Sequence, residues 1–442
     1  MKIGLISLGC AKNQVDLERL VGKLSHRLSY NKRKFEFSDD TSACDLLLVN
    51  TCGFIRPAVE EAIDAILSAK QELPAHAKLV VLGCMAERYA DSIAEELPEI
   101  DFVAGVDQQD AVLTYIDNLY KLKDAASTWQ GERHLLTPPH YAYLKISEGC
   151  NNRCAYCTIP SIRGAHTSVP IEKLISETQQ LVAAGAKEII IISQDSTKYG
   201  QDLGEANLAS LLRQLAPAFP AVYFRVMYLN PDGVTEELID TIASMSNIMR
   251  YFDIPIQHAS DSVLKRMNRH SRKADIEQVF AMIRKKLPEA FIRTTAIVGF
   301  PGETEADFAE LEQLLQLIMP DYAGFFPYSP EDDTPAAKMT PIVDNKIVQA
   351  RLKALQKIQK NNTLLRLKQM KKTTIGCFVD KINDDFDFIL EGRAFFQAPE
   401  VDGKLYVTDG IPADGSGPYK AKIVKIVYPD IYVKLLGSLE II

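Results

Sequence analysis

The residues best placed to do chemistry are the sulfurs of Cys150, Cys154 and Cys157, in the run Cys150-Asn151-Asn152-Arg153-Cys154-Ala155-Tyr156-Cys157. Three thiols at this spacing reach three corners of one small metal cluster, and thiolates favour iron–sulfur clusters or zinc. A closed structural zinc site takes four ligands, and no fourth Cys or His lies close by in the sequence. A four-iron cluster held by three thiolates leaves one iron open for a substrate or cofactor. A disulfide and a zinc site are the alternatives this spacing leaves.

A second trio is scattered along the chain. Cys10 ends Leu5-Ile6-Ser7-Leu8-Gly9-Cys10, Cys52 ends Leu47-Leu48-Val49-Asn50-Thr51-Cys52, and Cys84 ends Val80-Val81-Leu82-Gly83-Cys84. Each follows a short apolar run of the kind that forms a strand buried on both faces. In a parallel sheet the C-terminal strand ends share one edge, where ligands bind, so the three thiols would converge there. Helix N-termini nearby would favour thiolate. The alternative is three buried cysteines behaving as small hydrophobes. Cys44 and Cys377 fit neither pattern and read as structural.

These cysteines need elements to position them. Strand-like runs Ile3 to Leu8, Leu46 to Val49 and Leu79 to Leu82 alternate with helical stretches Gln14 to Leu28 and Ala58 to Lys70, where Pro57 takes a favoured first-turn position. This predicts an N-terminal α/β domain with a parallel sheet over residues 1–123, followed by a linker closing at Pro138-Pro139. Between 140 and 371, six strands (from Tyr141, Glu188, Val222, Tyr251, Ile292 and Tyr322) alternate with helices. That count predicts a partly closed, TIM-like (β/α) barrel with functional loops after its strands. A charged helix from Asp344 to Lys371 should pack on the barrel through Val348, Leu352 and Leu355, leaving its basic residues as a solvated face. Residues 372–442 read as a small β-barrel.

The 442 residues carry a net charge of −8, which argues against a large uniform basic surface for nucleic acid and leaves direct RNA binding open. No apolar run reaches membrane-spanning length and the N-terminus lacks the features of a signal peptide, so the expected location is cytoplasmic, with no membrane partner. Eight cysteines in such a chain point to metal or redox use and not to a disulfide framework.

The Cys150–Cys157 motif, with Tyr156 before its last cysteine, resembles the radical S-adenosylmethionine superfamily. Leu8-Gly9-Cys10-Ala11-Lys12-Asn13, Asn50-Thr51-Cys52 and Gly83-Cys84 resemble the N-terminal signature of its methylthiotransferases. The last domain resembles a TRAM module, so the likeness covers nearly the whole chain. The resemblance implies two [4Fe-4S] clusters, S-adenosyl-L-methionine as methyl donor and radical source, and an electron donor such as flavodoxin or ferredoxin. It makes Cys150, Cys154 and Cys157 the ligands of the radical cluster, and Cys10, Cys52 and Cys84 those of the sulfur-delivering one. It also suggests S-adenosylmethionine contacts at Tyr156, Gln194, Gln257 and Gly299, the last in Gly299-Phe300-Pro301-Gly302 after a strand, where glycine lets backbone approach a ligand. Each of these four has a plainer reading as packing, cap or turn.

The family divides between enzymes acting on transfer-RNA adenosine and those acting on an aspartate of ribosomal protein uS12. Leu8 to Asn13, Tyr143 to Cys150 and Gly392 to Gly403 resemble the RimO type, which acts on the protein. The acids Asp384, Asp385, Asp387, Glu391, Glu400 and Asp402 crowd together in the last domain and would repel RNA and attract a basic protein. Asp333 stands where the family resemblance leads one to expect glycine. Lys12, Asn13 and the loop near Tyr328 are candidates for recognising the target aspartate. A transfer-RNA enzyme and a zinc-containing ribosome-binding protein are the competing expectations.

Overall fold

The computed structural model describes the chain except residues 372, 384–388, 411, 413–414 and 440–442. It divides into two compact units. The first comprises Met1–Thr137, Glu148–Thr167 and Glu331–Thr334; the second comprises Pro138–Ser147, Ser168–Pro330 and Pro335–Ile442.

In the first unit, strands β1 (Lys2–Ser7), β2 (Glu36–Phe37), β3 (Leu46–Thr51), β4 (Lys78–Gly83) and β5 (Phe102–Ala104) form a parallel sheet in the order β2-β1-β3-β4-β5. Alternate residues of the central strands serve two cores. Leu46, Leu48, Val80 and Leu82 pack with Leu17, Leu20 and Leu24 of helix Ala11–Tyr30, while Leu47, Val49, Leu79 and Val81 pack with Ala62 and Ile66 of helix Arg56–Glu72. Burial on both faces is why these strands read as unbroken apolar runs. Each such Leu or Val contributes about 1.5–3 kcal/mol.

The second unit holds six parallel strands, starting with β6 (Tyr141–Lys145). Short strands β7 (Ser147–Glu148) and β8 (Thr167–Ser168) bracket the cysteine loop in the sequence. Then follow β9 (Glu188–Ile192), β10 (Tyr223–Val226), β11 (Tyr251–Asp253), β12 (Phe291–Val298) and β13 (Tyr322–Pro327). They form two three-stranded sheets, β10-β9-β6 and β11-β12-β13, meeting at the bridge Phe224↔Ile248. Among the described residues β6 and β13 do not pair, so the barrel is open, as the repeated βα pattern predicts. Helix Asn345–Met370 buries Val348, Leu352 and Leu355. Its Arg351 departs from the expected solvated face: it is buried, with Nη1 donating to Glu303 at 2.7 Å. Carboxylates on both terminal nitrogens, Glu303 on Nη1 and Glu305 on Nη2, let that cation leave water.

Strands β14 (Thr374–Ile382), β15 (Leu390–Ala394), β16 (Leu405–Asp409), β17 (Tyr419–Val427) and β18 (Asp430–Ser438) close a small barrel in the order β14-β15-β16-β18-β17. Residues 393–402 of this barrel cap the N-terminal ends of the six parallel strands. Phe396 stacks on Phe291 at 4.2 Å, Arg393 bonds Glu188 at 2.7 Å, and Arg225 donates to the Phe395 carbonyl at 3.1 Å. Asp402 accepts from the Tyr251 hydroxyl at 2.6 Å and lies 3.4 Å from Arg293.

The plug corrects the expected acidic surface at two of its six residues, Asp402 and Glu391. Asp402 and Glu391 are buried, Glu391 bonding Lys404 at 2.8 Å. Glu400 is exposed, while Asp384, Asp385 and Asp387 lie outside the described residues. Buried carboxylates with cationic partners offer no field to a distant molecule.

Candidate metal centre

The register of the first sheet aligns three strand ends: Ser7 lies beside Asn50 and Asn50 beside Leu82. Cys10 follows three residues past Ser7, and Cys52 and Cys84 follow two past Asn50 and Leu82. Cys10 caps helix Ala11–Tyr30, and Cys84 opens the short helix Cys84–Arg88. The structure therefore brings this trio to one edge, as the parallel sheet predicts.

Two glycines make the approach possible. Gly9 has φ +87°, and a Cβ there would stand 2.6 Å from the Cβ of Cys52. Gly83 has φ +99°, and its Cβ would stand 2.4 Å from Asn50 Oδ1. Only glycine accepts both the backbone and the crowding. Asn13 pins the edge from beneath: its Nδ2 donates to the carbonyls of Leu8 at 2.8 Å and Thr51 at 3.1 Å. Both of its amide hydrogens are spent there. This corrects the expectation that Asn13 recognises a substrate: it builds the scaffold.

The three thiols sense one another electrostatically. Burial pushes Cys84 up to about 11, the Arg163 guanidinium opposing it and the charges of Cys10 and Cys52 adding to it. Burial also raises Cys52, against the backbone N–H of Phe54. For the half-buried Cys10, desolvation also acts upward, but Lys12, the backbone N–H of Asn13 and Arg163 outweigh it and lower the thiol. Binding a metal would deprotonate all three.

Sequence reasoning missed Arg163, which is buried in this edge. Nη2 donates to Cys84 Sγ and to Asn13 Oδ1, both at 3.3 Å, and Nη1 donates to Asp16 and Glu148, both at 2.9 Å. Asp16 lies on the helix that Cys10 caps, so its one-turn spacing from Lys12 and Asn13 was the available signal.

Cys150, Cys154 and Cys157 lie on a loop of the same unit. The Cys150 N–H bonds the Gly164 carbonyl at 3.2 Å, and the Cys157 N–H bonds the Cys154 carbonyl at 3.0 Å. Gly149 has φ +71°, and a Cβ there would stand 2.2 Å from the Ala165 carbonyl oxygen. The loop is thus tied at its base and turned inside, with all three thiols half-buried.

Among the described residues no three Cys, His, Asp or Glu side chains form a group suited to a metal ion. A four-iron cluster spreads its thiolates more widely than one ion does. Each trio is all sulfur, and three thiolates can hold a cluster with one corner open, whereas a closed zinc site takes four ligands. Cys44 and Cys377 are buried in apolar surroundings, as a structural role predicts.

Gln194, Gln257 and Gly299 follow β9, β11 and β12 in the second unit, at the C-terminal strand ends; Tyr156 belongs to the first unit. Gln257 has φ +68° and bridges to Ala296. The Gly299 N–H donates to Glu303 Oε2 at 2.6 Å, and a Cβ on Gly299 would stand 2.4 Å from Val348 Cγ2. Close packing of a helix thus gives this glycine its physical reason.

Asp333 adopts φ +67°, the backbone region glycine favours, so the turn keeps its shape with a different residue. Its neighbour Glu331 accepts from Arg88 at 2.9 Å and from the Arg56 backbone at 2.9 Å. Arg88 also donates to the Gly53 carbonyl at 3.1 Å and so steadies the loop beside Cys52.

A family model described as the Radical SAM superfamily matches residues 144–315, and one described as Uncharacterized protein family UPF0004 matches residues 2–105. The chain is 39% identical over 425 residues to "Ribosomal protein uS12 methylthiotransferase RimO" of Geobacter sulfurreducens, covering 92% of this chain and 93% of that one. It is 38% identical over 443 residues to the protein of the same name from Aquifex aeolicus, covering 100% and 99%. Among solved structures it resembles the radical S-adenosylmethionine methyltransferase TsrM from Kitasatospora setae, with TM-score 0.53, 14% identity, and coverage of 73% and 72%. At that identity the likeness concerns the fold alone.

Proposed function

The chain belongs to the family of the ribosomal protein uS12 methylthiotransferases RimO, and from that premise we propose that it methylthiolates uS12 at the β-carbon of an aspartate. The observation that carries the reading is the convergence of Cys10, Cys52 and Cys84 on one sheet edge, in the same compact unit as Cys150, Cys154 and Cys157. A radical-type site alone needs only the second trio. A site that also delivers sulfur needs a second place to hold it.

In this reading Cys150, Cys154 and Cys157 hold the cluster that binds S-adenosylmethionine, and Cys10, Cys52 and Cys84 hold a second [4Fe-4S] cluster. When bound, the two supply the reducing electron that cleaves S-adenosylmethionine and the sulfur that meets the substrate carbon. The protein's own residues do the rest. Asn13, Gly9 and Gly83 fix the spacing of one trio; the Cys150–Gly164 bond closes the loop of the other. Tyr156, Gln194, Gln257 and Gly299 are the proposed S-adenosylmethionine neighbours. Residues 1–123, 140–371 and 372–442 are the proposed sulfur, radical and terminal domains. A flavodoxin or ferredoxin in the cytoplasm is the proposed electron source.

No helix among the described residues is long and apolar enough to cross a membrane. The transfer-RNA alternative has no specific observation in its favour.

The test replaces the cysteines singly with Ala and assays two products from one anaerobic reaction. Loss of Cys150, Cys154 or Cys157 is expected to stop 5′-deoxyadenosine formation. Loss of Cys10, Cys52 or Cys84 is expected to leave 5′-deoxyadenosine forming while the methylthio mass on the uS12 aspartate disappears. If 5′-deoxyadenosine is lost from both sets, the division of labour is wrong.

A further inference from the structure

One cation donates directly to a sulfur of the Cys10–Cys52–Cys84 site, and it comes from outside that site's own sheet. Arg163 ends the short helix Ile159–Arg163, six residues past Cys157. Its side chain is 1% exposed. The two terminal nitrogens face different partners: Nη2 addresses Cys84 Sγ and Asn13 Oδ1, and Nη1 is shared by the carboxylates of Asp16 and Glu148. Glu148 precedes Cys150 by two residues. Asp16 and Asn13 lie on the helix that Cys10 caps.

A guanidinium held this way is oriented before anything binds. One buried carboxylate, Asp16, and one half-buried, Glu148, fix the plane of its fork, and a planar fork can serve partners in two directions, which an ammonium cannot do as rigidly. The nitrogen pointed at sulfur then acts as a fixed hydrogen-bond donor carrying positive charge. Hydrogen bonds and positive charge at cluster sulfurs stabilise the more negative, reduced state and raise the reduction potential.

We propose that Arg163 is a positioning residue for the sulfur chemistry, holding the Cys84 sulfur and setting the potential of the cluster there while tying that site, through Glu148, to the loop that carries Cys150. The proposal rests on the reading that Cys10, Cys52 and Cys84 hold a cluster, and the experiment separates the two.

The full chain carrying Cys150→Ala, Cys154→Ala and Cys157→Ala is reconstituted anaerobically with iron and sulfide, so that only the first trio can be loaded. Arg163→Gln and Arg163→Lys are made in that background. Iron and sulfide are counted, and the cluster is titrated with reductant and followed by electron paramagnetic resonance. At the parent's midpoint, the reduced-to-oxidised ratio of Arg163→Gln is expected to fall at least about tenfold, equivalent to a shift of 59 mV for one electron. Arg163→Lys, which keeps the charge, is expected to lie between the two. A loaded Arg163→Gln chain whose midpoint and spectrum match the parent's overturns the proposal. If Arg163→Gln sheds its iron, the lysine variant decides. Full iron with a ratio within about tenfold of the parent's sustains the proposal, and loss of either overturns it. A parent background that binds no iron at all removes instead the cluster reading beneath it.

Discussion

Gly9 governs how closely Cys10 and Cys52 approach, because any side chain there meets Cys52. Gly9→Ala combines a disfavoured φ with that contact, and such strain costs about 1–3 kcal/mol. The expected result is iron missing from the first trio while 5′-deoxyadenosine still forms, checked by iron counts on the chain lacking the other trio's thiols. At Asp333 the same backbone region carries a residue that tolerates it. Asp333→Gly is expected to stay within about 1 kcal/mol of the parent, and Asp333→Val to lose more than about 1 kcal/mol, read from urea unfolding midpoints. His258 supplies a pH prediction. The Ser260 N–H donates to its Nδ1 at 3.0 Å, so the ring hydrogen sits on Nε2. Burial pushes this histidine down to about 3, against the carboxylate of Asp307 and with the cations Arg266 and Arg351; Glu303 lies 3.7 Å away. Because the folded value lies below the unfolded one, the unfolded chain binds the extra proton. Stability is therefore full above about pH 6.5 and falls toward pH 3, by up to about 1.4 kcal/mol per unit. His258→Gln should remove one proton's worth of that slope in unfolding curves taken from pH 7 to pH 5.

The strands and helices were largely legible, because apolar periodicity is a local property. β9 runs over Glu188–Ile192 as its five-residue pattern predicts, and the helix at 345–370 begins and ends within a residue of expectation. The two-residue β2 and the three-residue β5 were not, since edge strands so short leave no pattern to find. The cysteine trio was readable for a topological reason: parallel strands deliver their C-terminal ends to one edge whatever their sequence separation. Asp402 and Glu391 of the last barrel were misread as surface charge because charge in a sequence does not reveal its partner. Asp402 meets Arg293, and Arg393 meets Glu188, across long stretches of chain. Arg163 escaped for the same reason. These pairs set a prediction for the plug as an element. Asp402→Ala removes the acceptor of the Tyr251 hydroxyl and of the Ala398 N–H and one of the two carboxylates near Arg293, Asp253 remaining 3.7 Å away, and should cost about 1–3 kcal/mol, whereas Glu400→Ala on the exposed turn should stay within about 0.5 kcal/mol. Equal effects of the two in urea melts would contradict the packing described.

For the molecule as a whole, the net charge of −8 is a poor guide to partners, since several acids are spent on internal pairs. The division into two units also cuts across sequence order. The segment at 148–167 leaves the barrel chain to join the sheet's unit, and four residues at 331–334 do the same. The final strands belong with the six-stranded barrel that they plug, so that whole second unit should melt in one transition and not in two, as calorimetry would show. The plug also bears on how the protein is made. Synthesis runs from the N-terminus, and the parallel strands emerge before residues 393–402 exist. Until then Glu188 has only Arg225 and lacks Arg393, the Tyr251 hydroxyl and Arg293 lack Asp402, and Phe291 lacks the Phe396 ring. Residues 393–402 thus finish the barrel only after its strands have been made, and a nascent chain stalled before them leaves the base of those strands uncovered for a chaperone to find.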